Sequence, residues 1–328
     1  MNRLSSMKTV IVGAGITGLT IGSFLRERFP KSEVVVLEKS RGVGGRIATR
    51  RTDLGKFDHG AQFYTVSKSI ETLHERWQTE GLVKKWFDSE SGQRFMSPNG
   101  MTALAKSLAA NLSIELGVKV LKVNSTGTQG WEVEIENHRP VIADRIVMTA
   151  PMPQNLEILD RSGIPIDARF RAVKYAKAIV LLFEGVSGLG TDGAELDGQY
   201  GFKKGLSENV FSVANQLKKG LHGIPSWTVV MSPAFSDLVF EKSDEEILSL
   251  AVSEVKTVAP GIKYENAQVK KWRYSHPVSF ACSKNEPLFS EVADGLFLAG
   301  DAFGGASVAG AVGSAVQLAE RLSFTKPS

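Results

Sequence analysis

An α/β fold is predicted for this chain of 328 residues, with one domain assembled from both ends of the sequence and an α+β domain between them. Three observations predict it. A strand–helix–strand pattern opens the chain around "VIVGAGITGLTIGSFLRERF" (residues 10–29). A buried strand followed by a helix closes it in "GLFLAGDAFGGASVAGAVGSAVQLAERL" (295–322). Between them lie the strand-like runs "AKAIVLLFEG" (176–185) and "SWTVVMSP" (226–233) and a helix beginning near Ser243.

The opening pattern is the most informative. Lys8 to Val12 is a short apolar run ending in glycine, as a buried parallel strand reads. Ile16, Leu19, Thr20, Ser23 and Phe24 recur at helical spacing, Pro30 and Lys31 punctuate the end, and "SEVVVLEKS" (32–40) is a second strand. Gly13, Gly15 and Gly18 have the spacing G-x-G-x-x-G, which is weak alone and gains meaning between a strand and a helix. Gly13 makes a tight turn, Gly15 lets backbone N–H groups approach a pyrophosphate at the helix N-terminus, and Gly18 lets helix pack on strand. Glu38 ends the second strand 20 residues after Gly18, where an acid accepts both ribose hydroxyls of an adenosine. The unit is therefore of Rossmann type.

Beyond Glu38, "KSRGVGGRIATRR" (39–51) holds a second glycine cluster with Arg46, a fork for phosphate oxygens. Next comes "GKFDHGAQFYTV" (55–66), read as an apolar strand carrying Asp58 and Gly60. "GMTALAKSLAANL" (100–112) is an amphipathic helix, the alternating stretch from Ser113 to Asn137 is a hairpin turning at Gly127 and Gly130, and "DRIVMTAPMP" (144–153) is another buried strand. Ser243 with Glu246 has capping-box spacing. "LFLAGD" puts Asp301 at the carboxyl end of a buried strand, placed to accept hydroxyls of an extended polyol. The helix from about Ala309 to Leu322 has small residues in its first turn, and its N-terminus after Gly310 points N–H groups at something anionic, such as the N1/O2 edge of a reduced flavin.

Composition narrows the class. The formal net charge of +4 is small for this length and the bases are scattered among 35 acids, so no nucleic-acid partner is expected. One local excess, Arg41, Arg46, Arg50, Arg51 and Lys56, is either a solvated loop or a phosphate-facing surface. A single cysteine, Cys282, excludes an intramolecular disulfide and a thiolate metal cluster and places the protein in a reducing cytoplasm. Five histidines show no metal-ligand spacing, so no metal is expected. No run approaches a membrane span, and the glycine-broken segment 10–24 lacks a signal-peptide cleavage site. Residues 1–6, before Met7, read as a disordered leader or an early start.

"GAGITG" with Glu38, then "RGVGGR", then "FLAGD" with the small residues beyond it resemble the flavin-containing amine oxidase and phytoene desaturase superfamily. "DHGAQFYT" (58–65) and "KWRYSHP" (271–277) are similar to its renalase branch, and the resemblance runs from end to end. It implies FAD, held without a covalent bond, with Gly13, Gly15 and Gly18 at the pyrophosphate, Glu38 at the adenosine ribose and Val120 touching adenine through its backbone. Arg46 would reach phosphate or the flavin edge and Asp301 the ribityl chain. Lys39, Gly45, Gly60, Ala61, Gln62, Gly300, Gly310 and Ala311 complete the expected cofactor contacts. His59 stands where renalase-like chains tend to have an apolar residue; it either packs, faces solvent or shifts the flavin's electronics. The FAD-binding domain is then residues 7–64, 99–153 and 289–325, and the substrate domain 65–98 and 154–288.

No Ser-His-Asp or Cys-His set and no paired carboxylates stand out, which fits an enzyme whose cofactor does the redox work. Trp272, Tyr274 and His276 alternate on one face of a strand and are expected over the flavin, with Gln62 and Tyr64 opposite. Three readings remain. One is a renalase-like oxidase moving hydride from a dihydronicotinamide isomer to flavin N5 and on to O2 with release of H2O2. The second is amine oxidation on the same cofactor, and the third a flavin-binding protein without turnover. The partner expected is a small molecule, a dihydronicotinamide dinucleotide or an amine, with O2 as electron acceptor.

Overall fold

The computed structural model describes residues 7–90, 92–127, 130–188, 196–283 and 285–324; the expected leader (1–6), the tip of the hairpin turn (128–129) and residue 325 lie outside them. Lys8–Val12 is an inner strand of a six-stranded sheet. Its neighbours are Arg145–Met148 and Glu33–Glu38, both parallel to it, followed outward by Leu296–Ala299 on one side and Ser113–Leu116 on the other. Phe289–Ala293 adds an antiparallel edge. The expected strands near both ends of the chain thus share one sheet. Val10 and Ile11 are fully buried because both faces are covered, so the strand reads as an unbroken apolar run.

The helix Ile16–Arg28 is buried on most sides. Thr17 donates its hydroxyl to the Ala311 carbonyl (3.2 Å), tying this helix to the helix Val308–Phe324, and a Cβ on Gly22 would come within 2.9 Å of Leu112. These contacts explain its weak amphipathicity: from Ile16 to Leu25 every residue but Phe24 is buried, and only the last turn is exposed.

Two expectations need correction. The run 55–66 is a strand only over Lys56–Asp58, paired with Thr49–Arg51. Past His59 the chain leaves the ladder, because Gly60 presses against Arg46: a Cβ there would lie 2.0 Å from the Arg46 carbonyl. The stretch from Ser113 is not one hairpin either. Ser113–Leu116 joins the large sheet, Gly117 turns the chain with φ +73°, and Val120–Ser125 pairs with Trp131–Ile135, to which Val141–Ala143 adds a third strand.

The second sheet is antiparallel and five-stranded, in the order Phe202–Lys204, Val210–Asn215, Ser226–Met231, Tyr175–Glu184, Asn266–Pro277. Ile179, Leu181, Phe183 and Val229 are buried in a core shared with Ile247, Ala251 and Val255 of the helix Asp244–Val258. That helix opens on the expected capping box: Glu246 N–H donates to Ser243 Oγ (3.2 Å) and Ser243 N–H to the Glu246 carboxylate (3.1 Å). A register shift opposite Ala176–Ala178 bulges the strand between Trp272 and His276. Among the described residues no helix is long and apolar enough to cross a membrane.

Candidate functional site

The two glycine loops meet at the carboxyl end of the central strands. Gly13, at φ +106°, donates its N–H to the Leu37 carbonyl (2.8 Å) and accepts at its own carbonyl from Thr149 Oγ1 (3.2 Å). A Cβ on Gly18 would sit 2.1 Å from that same carbonyl, so helix and loop close only over glycine. Gly15 caps the 13-residue helix Ile16–Arg28 with no side chain over the helix end, and a Cβ there would meet nothing within 4 Å. Open space before unfilled backbone N–H groups is what an anion cradle requires. Gly44, at φ +113°, donates its N–H to the Ala14 carbonyl (2.8 Å), and a Cβ on Gly45 would lie 3.6 Å from Gly15 Cα.

Glu38 is buried at the same place. Its carboxylate accepts from Ala14 N–H and Ser40 N–H, each at 2.8 Å. Val118 N–H donates to the Glu38 carbonyl (2.9 Å), so the segment leading to Val120 lies beside the acid, while Lys39 reaches Gln154 (3.0 Å). At the other end of the chain, Gly300 (φ +140°) donates its N–H to Ser314 Oγ (2.8 Å). The helix after it begins at Val308 rather than beyond Gly310. Ser307 accepts from Gly310 N–H and from Ala311 N–H, each at 3.0 Å, so these two amides are not open to a ligand. Gly310 serves packing instead: a Cβ would come within 2.4 Å of the Gly304 carbonyl.

Arg46 and Asp301 meet in a two-pronged ion pair, one prong at 3.0 Å. Tyr175 donates its hydroxyl to Asp301 (3.0 Å), lies with its ring 5.6 Å beneath the Arg46 guanidinium, and meets Tyr274 edge-on at 5.8 Å. Burial and then the Asp301 charge push the Tyr175 phenol up. Burial pulls Arg46 down, but the charge and bonds of Asp301 outweigh it and raise the guanidinium above its usual value. His276, the most exposed of the expected aromatic trio, is lowered by burial and then by Arg46, against the pull of Asp301. Trp272 stacks on His59, centroids 5.3 Å apart and planes 22° from parallel, and donates its indole N–H to the His59 carbonyl (2.9 Å). Ala61 N–H bonds the Arg46 carbonyl (2.9 Å), joining this stack to the ion pair. His59 is pushed down to about 4 by burial, then by Lys270 and, against the pull of Asp58, by Arg50. Its Nδ1 is buried without a partner.

Trp272, Tyr274 and His276 thus come together with Arg46, His59 and Asp301. Gln62 and Tyr64 do not face them. Gln62 is 7% exposed, with its amide nitrogen on the carbonyls of Asp58 and Gly60 and its oxygen on Gln216 (3.2 Å) and Lys219 (3.3 Å). Tyr64 is 2% exposed; its hydroxyl meets His74 Nδ1 (2.8 Å) and its ring packs on Trp77 and Phe95.

Sequence reasoning missed three features. Tyr175 stands one residue before the run read as a strand. Lys219 and Asp58 form a fully buried ion pair at 2.6 Å, and their separation of 161 residues leaves no local signal. Phe63, Trp86, Phe87, Tyr200 and Phe202 form a half-exposed aromatic cluster, with the Lys219 ammonium 5.0 Å over Trp86. Its members are scattered along the chain, so only the fold brings them together.

The open space at Gly15, the close packing that requires Gly18 and the held carboxylate of Glu38 fit a bound dinucleotide cofactor. Fold and site together define a Rossmann-type dinucleotide-binding protein. Residues 11–77 match the NAD(P)-binding Rossmann-like domain, and residues 78–323 match the flavin containing amine oxidoreductase family. The chain belongs to the flavin-containing amine oxidoreductases, which makes it an FAD-dependent oxidoreductase by class. It is 34% identical over 86 residues to coproporphyrinogen III oxidase of Staphylococcus aureus, a stretch spanning 26% of this chain and 18% of that enzyme. A provisionally assigned protoporphyrinogen oxidase from Exiguobacterium sp. 255-15 superposes with a TM-score of 0.78 at 14% identity, covering 97% of this chain and 99% of the other. A triple mutant of putrescine oxidase gives 0.73 at 15% identity, covering 97% and 98%. At such identities these likenesses show the fold.

Proposed function

We propose that this protein is a renalase-like oxidase that takes electrons from a dihydronicotinamide dinucleotide isomer, using non-covalently held FAD. The observation that carries the reading is the convergence of Trp272, Tyr274 and His276 on Arg46, His59 and Asp301 beside the two glycine loops. Gly13, Gly15 and Gly18 would hold the FAD pyrophosphate, Glu38 the adenosine ribose, and Arg46 with Asp301 the flavin side of the molecule. Bound FAD would supply a hydride acceptor at flavin N5 and the means to return the two electrons, with the hydride's proton and one from solvent, to O2 as H2O2. The protein's own part is to orient the donor ring against the aromatic face and to exclude water there.

Residues 7–64, 99–153 and 289–325 would serve the cofactor and 65–98 and 154–288 the donor, in a cytoplasmic setting that suits the single cysteine. Cys282 points its thiol at the Phe303 carbonyl (3.1 Å), and burial holds it above its usual range, which favours cofactor binding without a thioether. Amine oxidation is the second reading, favoured by the family match over residues 78–323 and by the aromatic side chains. Against it stand Lys270 and Arg50, whose positive charge is felt at His59 and would repel a cationic amine.

Anaerobic mixing decides between them. The 2- or 6-dihydro isomers of NADH should bleach the visible flavin band rapidly, and more slowly as salt rises. Rapid bleaching by simple amines, with indifference to the dihydronicotinamides, would establish amine oxidation; a flavin that nothing bleaches would leave a binding protein without turnover.

A further inference from the structure

We infer that Arg50, Lys270 and His59 form a pyrophosphate-binding subsite at the edge of the aromatic face, which grips the phosphates of the electron donor. The inference rests on the dinucleotide reading above and names the residues that recognise it.

The argument begins with strand periodicity. Along Asn266–Pro277, Lys270 and Trp272 share one face, opposite Val180 and Ala178 of the neighbouring strand, while Lys271 and Arg273 face the other way. The outward pair is neutralised: Lys271 meets Asp244 at 3.3 Å and Arg273 meets Glu241 at 3.0 Å. The inward Lys270 has no carboxylate partner among the described residues, and Asp244, the acid whose charge it feels, is already bonded to Lys271. Phe57 packs in one cluster with Ala178, Val180 and Trp272, and Arg50 lies directly across the hairpin from Phe57. Arg50 therefore comes from a different part of the chain to the same place, also without an acidic partner among the described residues. His59 continues that hairpin, stacked on Trp272, with its Nδ1 buried and unpartnered.

Two like charges from separate elements, neither with a carboxylate partner among the described residues, repel each other; after burial, Arg50 lowers Lys270 against the pull of Asp244, and both cations lower His59 against the pull of Asp58. Such an arrangement is relieved by an anion. A phosphate oxygen accepts from guanidinium, ammonium and imidazole N–H alike, and an anion there would favour protonated His59. A pyrophosphate carries enough oxygens for all three, which a lone amine does not.

The test uses purified FAD-loaded protein as parent, Arg50→Gln, Lys270→Gln, the double variant, and Lys271→Gln as an outward-facing control. Inorganic pyrophosphate is titrated calorimetrically, and KM and kcat are measured for a 2-dihydro NADH isomer and for the corresponding riboside without phosphates. Pyrophosphate should bind the parent and the control, more weakly as salt rises, and not the double variant. The dinucleotide KM should rise about ten-fold or more in the double variant, with kcat, FAD content and the riboside KM unchanged. Unchanged pyrophosphate affinity in the double variant overturns the subsite, as does loss of FAD in place of donor affinity, which would assign the cations to the cofactor. If no dihydronicotinamide reduces the flavin but pyrophosphate binding still disappears in the double variant, the donor reading fails and the anion subsite stands.

Discussion

Lys219→Met probes an ion pair that is buried on both sides. Lys219 and Asp58 are both fully buried, with Nζ 2.6 Å from the carboxylate. The second carboxylate oxygen accepts from Met101 N–H (2.8 Å) and Thr49 Oγ1, so Asp58 stays committed to its site when the lysine is gone. Burial pulls the Lys219 ammonium below its usual range, against the opposing pull of Asp58. Removing one member of a buried pair leaves an uncompensated charge and costs about 3–5 kcal/mol. Unfolding entropy near 2.1 cal/mol/K per residue makes 1 kcal/mol worth about 1.5 °C in a cooperative chain of 328 residues, so the midpoint should fall by about 4–7 °C. Calorimetry under saturating FAD reads this directly. Adding Asp58→Asn should recover most of the loss, because the stranded charge goes with it. A single variant within about 1 kcal/mol of the parent, or a double variant whose losses simply add, would refute the reasoning.

Four further outcomes are expected. Glu38→Ala should weaken FAD binding about ten-fold or more with little change in the rate of the loaded enzyme, as read by fluorescence titration of the apoprotein; parent-like affinity would mean that the carboxylate does not meet the ribose. Gly18→Ala should lose bound flavin and soluble yield together, because its Cβ would fall 2.1 Å from the Gly13 carbonyl. Trp272→Ala should keep FAD content and slow flavin reduction in stopped flow; lost FAD with an unchanged rate would make the tryptophan part of the core. His59, held at about 4 against an ordinary 6.5, binds its proton in the unfolded chain before the native one. Stability should therefore fall as pH drops from 6.5 toward 4, by roughly 3 kcal/mol at most, and His59→Gln should flatten that slope in pH-dependent chemical denaturation.

Features dictated by the backbone were legible in the sequence. A residue without Cβ is required where Gly18 meets the Gly13 carbonyl, and the apolar run of the central strand follows from its two covered faces. The glycine spacing and the buried strands near both ends of the chain therefore carried over to the structure, whereas the runs 55–66 and 113–137 were redrawn by the turns at Gly60 and Gly117. Features made by one segment meeting another were not legible. Tyr64 looked available beside Gln62, yet the turn at Gly60 delivers it to His74 and Trp77. Gly310 looked like the mouth of a helix and proved to be packed against Gly304.

The cations lie between these cases. The sequence marked Arg50 within a local basic excess, and the register of the strand Asn266–Pro277 separates Lys270 from Lys271 and Arg273. Only tertiary pairing shows that the outward two are matched by acids and that Arg50 comes to the inward face. The charge that matters at a site is the charge left unmatched, and that is a property of pairing between segments, whereas the glycines act within a single loop.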